Sequence, residues 1–173
     1  MAFPTETFYG LGAAALDGEA VRRVFEVKGR PESRPLLVLV DSVEMVERLA
    51  AALPPAARSL MSRHWPGALT LVIPAGGGVP RELTAGTATI GVRLSSHPVA
   101  TGLVTALGSP VTAPSANVSD GEPPTTADEV RAYFDGKIAL VLDGGPTAGG
   151  PPSTVLDVTV EPARVIRAGA VAV

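Results

Sequence analysis

The sequence predicts an α/β fold, a layered sheet with helices packed on it, in one domain over residues 1–173. Three observations predict it. Short apolar, β-rich runs recur at 36–40, 69–73 and 89–94, with stretches of helical spacing between them. Hydrophobic residues make up 46% of the chain and aromatics only 4%, so the core is built from Val, Leu, Ile and Ala. Pro and Gly are scattered between the apolar runs, where they punctuate turns and do not form a low-complexity tail. A chain of 173 residues is large enough to bury such a core.

Composition also excludes whole classes of chemistry. A net charge of −3 gives no support to a general polyanion-binding surface. The absence of Cys removes disulfides, thiolate catalysis and Cys-ligated zinc. With no apolar run long enough to span a bilayer and no signal-peptide pattern, a soluble cytoplasmic protein without membrane contact is expected.

The elements follow in order. Ala2-Phe3-Pro4-Thr5-Glu6-Thr7-Phe8-Tyr9-Gly10-Leu11-Gly12 reads as an irregular entry loop whose hydroxyls and bare backbone suit a ligand. Its glycine spacing is wrong for a dinucleotide fingerprint. Ala20–Lys28 is a helix capped by Asp17, with Val21, Val24, Phe25 and Lys28 on one face. A strand covers 36–40, and a helix over Val43–Leu53, capped by Asp41 or Ser42, is broken by Pro54-Pro55. A second helix runs over Ala56–Arg63. His64-Trp65 after it reads as packing at a turn. Leu69–Ile73 is a strand. Gly76-Gly77-Gly78 is a loop and not a phosphate cradle, since no Lys-Ser/Thr pair follows. Thr89–Leu94 is a strand carrying Arg93, which is costly to bury without an anionic partner. A helix from His97-Pro98 to Leu107 precedes the strand Pro110–Thr112. Thr125 or Thr126 caps a helix over Ala127–Phe134. Strands are expected at Ile138–Asp143 and, after a long loop over Gly144–Pro152, at Ser153–Asp157, and Arg164–Gly169 closes the chain.

One stretch stands apart chemically. Lys28-Gly29-Arg30-Pro31-Glu32-Ser33-Arg34-Pro35 holds three cations on backbone that its prolines stiffen, directly before a strand. Arg and Lys in that setting suit a multiply charged anion such as a polyphosphate, although a solvated basic turn would carry the same residues. The Ser115-Ala116-Asn117-Val118-Ser119 turn at the end of a strand likewise offers amides and hydroxyls to an anion. No His is placed to turn Ser115 into a nucleophile.

Taken in order, Pro4–Gly12, Lys28-Gly29-Arg30-Pro31 with Arg34-Pro35-Leu36, Ser115–Ser119 and Pro152-Ser153-Thr154-Val155 resemble the YrdC/Sua5 family of L-threonylcarbamoyladenylate synthases. Trp65–Thr70 and Ile166-Arg167-Ala168-Gly169 resemble it too. The resemblance implies a YrdC/RibB-like three-layer fold, with a twisted mixed sheet flanked by helices around a deep, positively charged cavity. It implies a nucleotidyltransferase reaction in which L-threonine, bicarbonate and ATP, with Mg²⁺, give threonylcarbamoyl-AMP and pyrophosphate. The product would pass to a complex that makes N6-threonylcarbamoyladenosine in tRNA, the tRNA itself being met only weakly or indirectly.

Carried over by motif, Lys28 and Arg30 would be catalytic, facing phosphates and carbamate with Arg34, which stands where many members have Asn. Thr5, Thr7, Arg93, Ala113 and Ser153 would hold threonine or its carbamate, Arg93 pairing the carboxylate. Thr89, Ser115, Asn117 and Arg167 would join Arg30 and Arg34 around ATP. Leu39 replaces a His common among archaeal members, which removes one polar contact. Family members carry a helix and a full strand ahead of the Pro-Thr-Glu motif. Here the helix and most of that strand are expected to be missing, leaving an open edge or a gap. A short, single-domain form is expected. Two other readings stand beside the synthase: an RNA-binding module, and a carbamoyl-adenylate-forming domain of another pathway. Cations converging in one concavity favour an enzyme, and cations spread over a convex stripe favour RNA.

Overall fold

The computed structural model describes residues 1–173. It opens with an antiparallel hairpin of β1 (Ala2–Pro4) and β2 (Tyr9–Leu11), followed by α1 (Gly18–Lys28) and β3 (Leu37–Leu39). Next come α2 (Val43–Leu49), α3 (Pro55–His64), β4 (Leu69–Pro74), α4 (Arg81–Thr84) and β5 (Thr89–Arg93). The chain continues through α5 (Pro98–Leu107), β6 (Val111–Thr112), α6 (Ala127–Phe134), β7 (Thr154–Asp157) and β8 (Arg164–Arg167). Strands β3 to β8 form one mixed sheet in the order β6-β3-β5-β4-β7-β8. Parallel pairs β3–β5 and β4–β7 alternate with antiparallel ones. No helix is long and apolar enough to cross a membrane.

The pleat of this sheet separates core from cavity. Along β4, Leu69, Leu71 and Ile73 are fully buried, and on β5 Ile90 and Val92 join them. Burying each such side chain contributes about 1.5–3 kcal/mol. The alternate positions Thr70, Val72, Thr89, Gly91 and Arg93 line a cavity instead. The register sets Gly91 beside both Leu37 and Val72, and Thr70 beside Val155, so one sheet face is a continuous cavity floor.

Local signals account for the helices that frame this floor. Asp17 Oδ1 accepts the N–H groups of Glu19 (2.9 Å) and Ala20 (3.2 Å) at the start of α1. At its other end Gly29 takes the left-handed conformation (φ 59°), and the Arg30 N–H bonds back to the Phe25 carbonyl. Ser42 caps α2, and Thr126 caps α6 in a reciprocal box with Glu129.

Four expectations change. Residues 2–12 are not an irregular loop: they form the β1–β2 hairpin, with the Pro-Thr-Glu-Thr run as its connection. The helix expected to reach Leu53 ends at Leu49, because Ala51 donates to the Pro74 carbonyl and Gly76 to that of Leu49. Backbone pairing with the end of β4 outcompetes another helical turn. The strand expected at 138–143 is a single bridge, in which Ala2 donates to Leu140 and accepts from Leu142. Pro4 has no N–H to continue that ladder, and Gly144 packs close against its ring. The short α4 follows the glycine loop, where no helix was expected. At the chain's end, a Cβ on Gly169 would lie 2.1 Å from the Pro152 carbonyl oxygen, so only glycine lets this segment approach the start of β7.

Candidate active site

The floor described above belongs to a cavity of about 580 Å³, walled by the hairpin turn, the basic loop and the 113–115 segment. The hairpin turn presents alternate residues to it. Thr5 Oγ1 donates to the Phe8 carbonyl (2.7 Å) and accepts the Thr7 N–H, and the Thr7 hydroxyl lies 3.2 Å from Thr5 Oγ1. Both threonines line the cavity. Glu6 between them turns the other way, toward Arg93: Oε1 lies 2.6 Å from Nη2 and 3.2 Å from Nε. Its Oε2 accepts from the Ser95 hydroxyl. This is the anionic partner that an arginine on β5 requires. Arg93 Nη2 is enclosed and makes only this charge contact, with no well-directed hydrogen bond, while the side chain as a whole borders the cavity.

Arg167 reaches the same space from β8. Its Nε and Nη2 donate to the Ser153 carbonyl (3.1 and 2.7 Å), and Nη2 also donates to Ser153 Oγ (3.0 Å). Ser153 Oγ is in turn 3.0 Å from Thr70 Oγ1. Burial, and then the Arg93 charge, lower the Arg167 pKa from its usual value.

At the basic loop, Arg30 is braced by carbonyls of its own segment, with Nε donating to Arg34 and Nη2 to Pro35. Burial, and then Arg34, lower its pKa from the ordinary guanidinium value. Arg34 and Ser33 also face the cavity. The lining contains four arginines and no carboxylate, so an anion is the ligand it suits.

Of the residues expected from sequence, Thr5, Thr7, Arg30, Arg34, Thr89, Arg93, Ala113, Ser115, Ser153 and Arg167 line this one cavity. Lys28 and Asn117 are not among the residues that line it. Lys28 lies on the buried face of α1 with Val24 and Phe25, and its Nζ donates to the carbonyls of Ser115 and Asn117 at 2.5 Å each. It holds the Ser115 turn from behind. Burial first, then Arg30, pull the Lys28 pKa down to about 8. Asn117 Nδ2 donates to the Val118 and Gly121 carbonyls, which closes its own turn. His64 and Trp65 stay outside the cavity, and Trp65 Nε1 donates to the Leu69 carbonyl (2.7 Å), as packing at a turn requires. Sequence reasoning missed Glu6 as the partner of Arg93, and Thr70, Gly91 and Val155 in the floor. The cost of burying Arg93 was the signal for Glu6, and strand alternation was the signal for the floor.

The family model for Sua5, YciO and YrdC proteins, described as "Telomere recombination", matches residues 1–169. A Pyrococcus abyssi protein named threonylcarbamoyl-AMP synthase is 48% identical over 169 residues, which are 98% of this chain and 50% of that protein. A Bacillus subtilis protein of the same name is 43% identical over 172 residues, 99% of this chain and 50% of its own length. The crystal structure of P. abyssi Sua5 complexed with L-threonine superposes with a TM-score of 0.95 at 48% identity, covering 97% of this chain and 49% of that one. The chain thus spans about half the length of these relatives. With a family model matching nearly the whole chain and relatives and a solved structure at 43–48% identity, the chain belongs to the Sua5/YciO/YrdC family.

Proposed function

We propose that the chain is a nucleotidyltransferase that joins L-threonine, bicarbonate and ATP into threonylcarbamoyl-AMP and pyrophosphate. The observation that carries this reading is the convergence of Arg30, Arg34, Arg93 and Arg167 with Ser and Thr hydroxyls on one concavity without a carboxylate. Its volume of about 580 Å³ falls in the range of small-molecule sites. The names of the P. abyssi and B. subtilis relatives support the reaction, and a relative solved with L-threonine supports the amino acid.

In this reading bicarbonate gives up hydroxide to form CO₂, threonine's amine takes up CO₂ as a carbamate, and the proton released from the amine joins the hydroxide as water. A carbamate oxygen then attacks the α-phosphorus of ATP, and the bond to the departing pyrophosphate breaks. Neither step needs a protein nucleophile. Positioning and charge stabilisation do the catalysis. Arg30 and Arg34 hold phosphates, and Arg93 offers its remaining donors to the threonine carboxylate. Thr5, Thr7, Ala113 and Ser153 shape the amino-acid end, and Thr89, Ser115 and Arg167 border the nucleotide. Lys28 acts through the Ser115 turn. Hydroxyls and carbonyls line the cavity but no carboxylate does, so Mg²⁺ would be held by the ATP phosphates and water. It would supply charge neutralisation there.

The product would be passed to a tRNA-modifying transfer complex in the cytoplasm. Net charge of −3 and cations gathered in a concavity favour this reading over RNA binding, which needs an outward basic face. The test is to incubate the chain with ATP, Mg²⁺, bicarbonate and each amino acid in turn, following pyrophosphate. Release that depends on threonine is expected. Release indifferent to the amino acid would overturn the assignment.

A further inference from the structure

The cations of the cavity fall into two groups of unequal charge. Arg30 and Arg34 have no carboxylate partner, and Arg30 is braced only by neutral carbonyls. Each cation of this group is felt by its neighbour: Arg34 depresses Arg30, and Arg30 depresses Lys28. The second group is Arg93 with Arg167, likewise coupled to each other, but here Glu6 contributes a full negative charge in contact with Arg93. Glu6 is locked in place. Its second oxygen accepts from Ser95, whose own Oγ accepts the His97 N–H (3.2 Å) and whose carbonyl accepts from Thr101 Oγ1 (2.9 Å). The pair is largely withdrawn from water, with side chains 5% and 18% exposed, so solvent screens it weakly.

We propose that Glu6 divides the cavity by charge: set against Arg93, it reserves that end for a single carboxylate and leaves polyphosphate to the Arg30–Arg34 end. The inference rests on the amino-acid and ATP reading given above, and adds to it a residue that decides which anion goes where. A carboxylate brings one charge, which suits an end where Glu6 offsets the charge of Arg93 and only Arg167, at the nucleotide border, adds a further cation. A pyrophosphate or triphosphate brings several, and would be pressed against the fixed charge of Glu6. At the basic loop the only acid, Glu32, pairs with neither arginine and stays off the cavity lining. Glu6 does not line the cavity and therefore acts through Arg93, as a positioning and specificity-determining residue.

The test is calorimetric titration of L-threonine into the full chain, alone and saturated with inorganic pyrophosphate. In the unmodified protein the two are expected to bind together, with threonine affinity changed less than about twofold. In Glu6→Gln, which keeps the size and one acceptor but removes the charge, pyrophosphate is expected to invade. It should weaken threonine binding by about tenfold, the scale of one unscreened charge contact at a partly buried site. Glu6→Asp keeps the charge and should keep the exclusion even if threonine binds more weakly. A merely structural role for Glu6 would lower both affinities without making the ligands compete. Displacement of threonine by pyrophosphate in the unmodified protein overturns the proposal with no variant needed, so a Gln variant that fails to fold leaves it decided. Threonine binding in Glu6→Gln that ignores pyrophosphate overturns it as well. Failure of the unmodified protein to bind threonine at all, with pyrophosphate still bound, is a different result and strikes the amino-acid reading itself.

Discussion

Arg30 and Arg34 carry the same charge as Arg93 and Arg167, yet the molecule holds the two pairs by different means. The loop pair depends on local chain geometry: a left-handed Gly29, two prolines, and carbonyls a few residues away. Arg34 is exposed and Arg30 only half-buried. The sheet pair depends on the register of β5, β7 and β8 and on partners far along the chain, Glu6 and Ser153. Arg93 is buried and Arg167 exposed; a buried charge has to be matched inside the protein, so Arg93 with Glu6 is tied to folding, whereas the loop pair is free to serve ligand alone.

That contrast can be broken experimentally, and the largest effect is expected at the sheet. Arg93→Ala strands the Glu6 carboxylate and should cost about 3–5 kcal/mol of stability in chemical denaturation. It should also weaken threonine binding by about 2–5 kcal/mol, and unchanged affinity in calorimetry would remove Arg93 from the ligand. Lys28 gives the next effect. Its pKa is about 8 when folded and near 10.5 when free, so the unfolded chain binds more protons between those values. The penalty for burying the ammonium is complete below pH 8 and is relieved as pH rises toward 10.5. Stability should therefore climb across that window by an amount on the order of 3 kcal/mol, unless the unfolding of the rest intervenes. Lys28→Met should flatten the rise, and an equal rise in that variant would point to another group.

Smaller changes sharpen the comparison. Gly169→Ala forces a methyl group against the Pro152 carbonyl and should cost about 1–3 kcal/mol while loosening Arg167 from Ser153. A melting curve identical to the parent's would contradict that close approach. Arg30→Ala should leave stability within about 0.5 kcal/mol, because only two loop carbonyls lose a donor. Threonine-dependent pyrophosphate release should nevertheless fall away. Normal turnover in that variant would put the basic loop outside the reaction.

How much of this was legible beforehand follows the same division between local and distant causes. The strands at 36–40, 69–73 and 89–94, α1 and α6 were readable because periodicity and caps are local properties. The early end of α2 was not, since β4 captures Ala51 and Gly76 through backbone bonds that no window of sequence contains. The lone bridge at Val141 had the same cause: an apolar run was visible, but not that its partner strand ends in a proline. In the site, ordered motifs led to ten of the twelve named residues on the wall. Lys28 and Asn117 are the two that are not on that wall, because a motif says which residues are neighbours and not which way each side chain turns. Glu6 lay in plain view between Thr5 and Thr7, but it sits in the bend of the hairpin, where no strand alternation says which way a side chain turns.

A crystal structure of the chain with L-threonine and a non-hydrolysable ATP analogue tests the central claim most directly. The account predicts both in the one cavity, the β- and γ-phosphates against Arg30 and Arg34 and the threonine carboxylate against Arg93. Phosphates seated on Arg93 beside Glu6, or threonine bound outside the cavity, would contradict it.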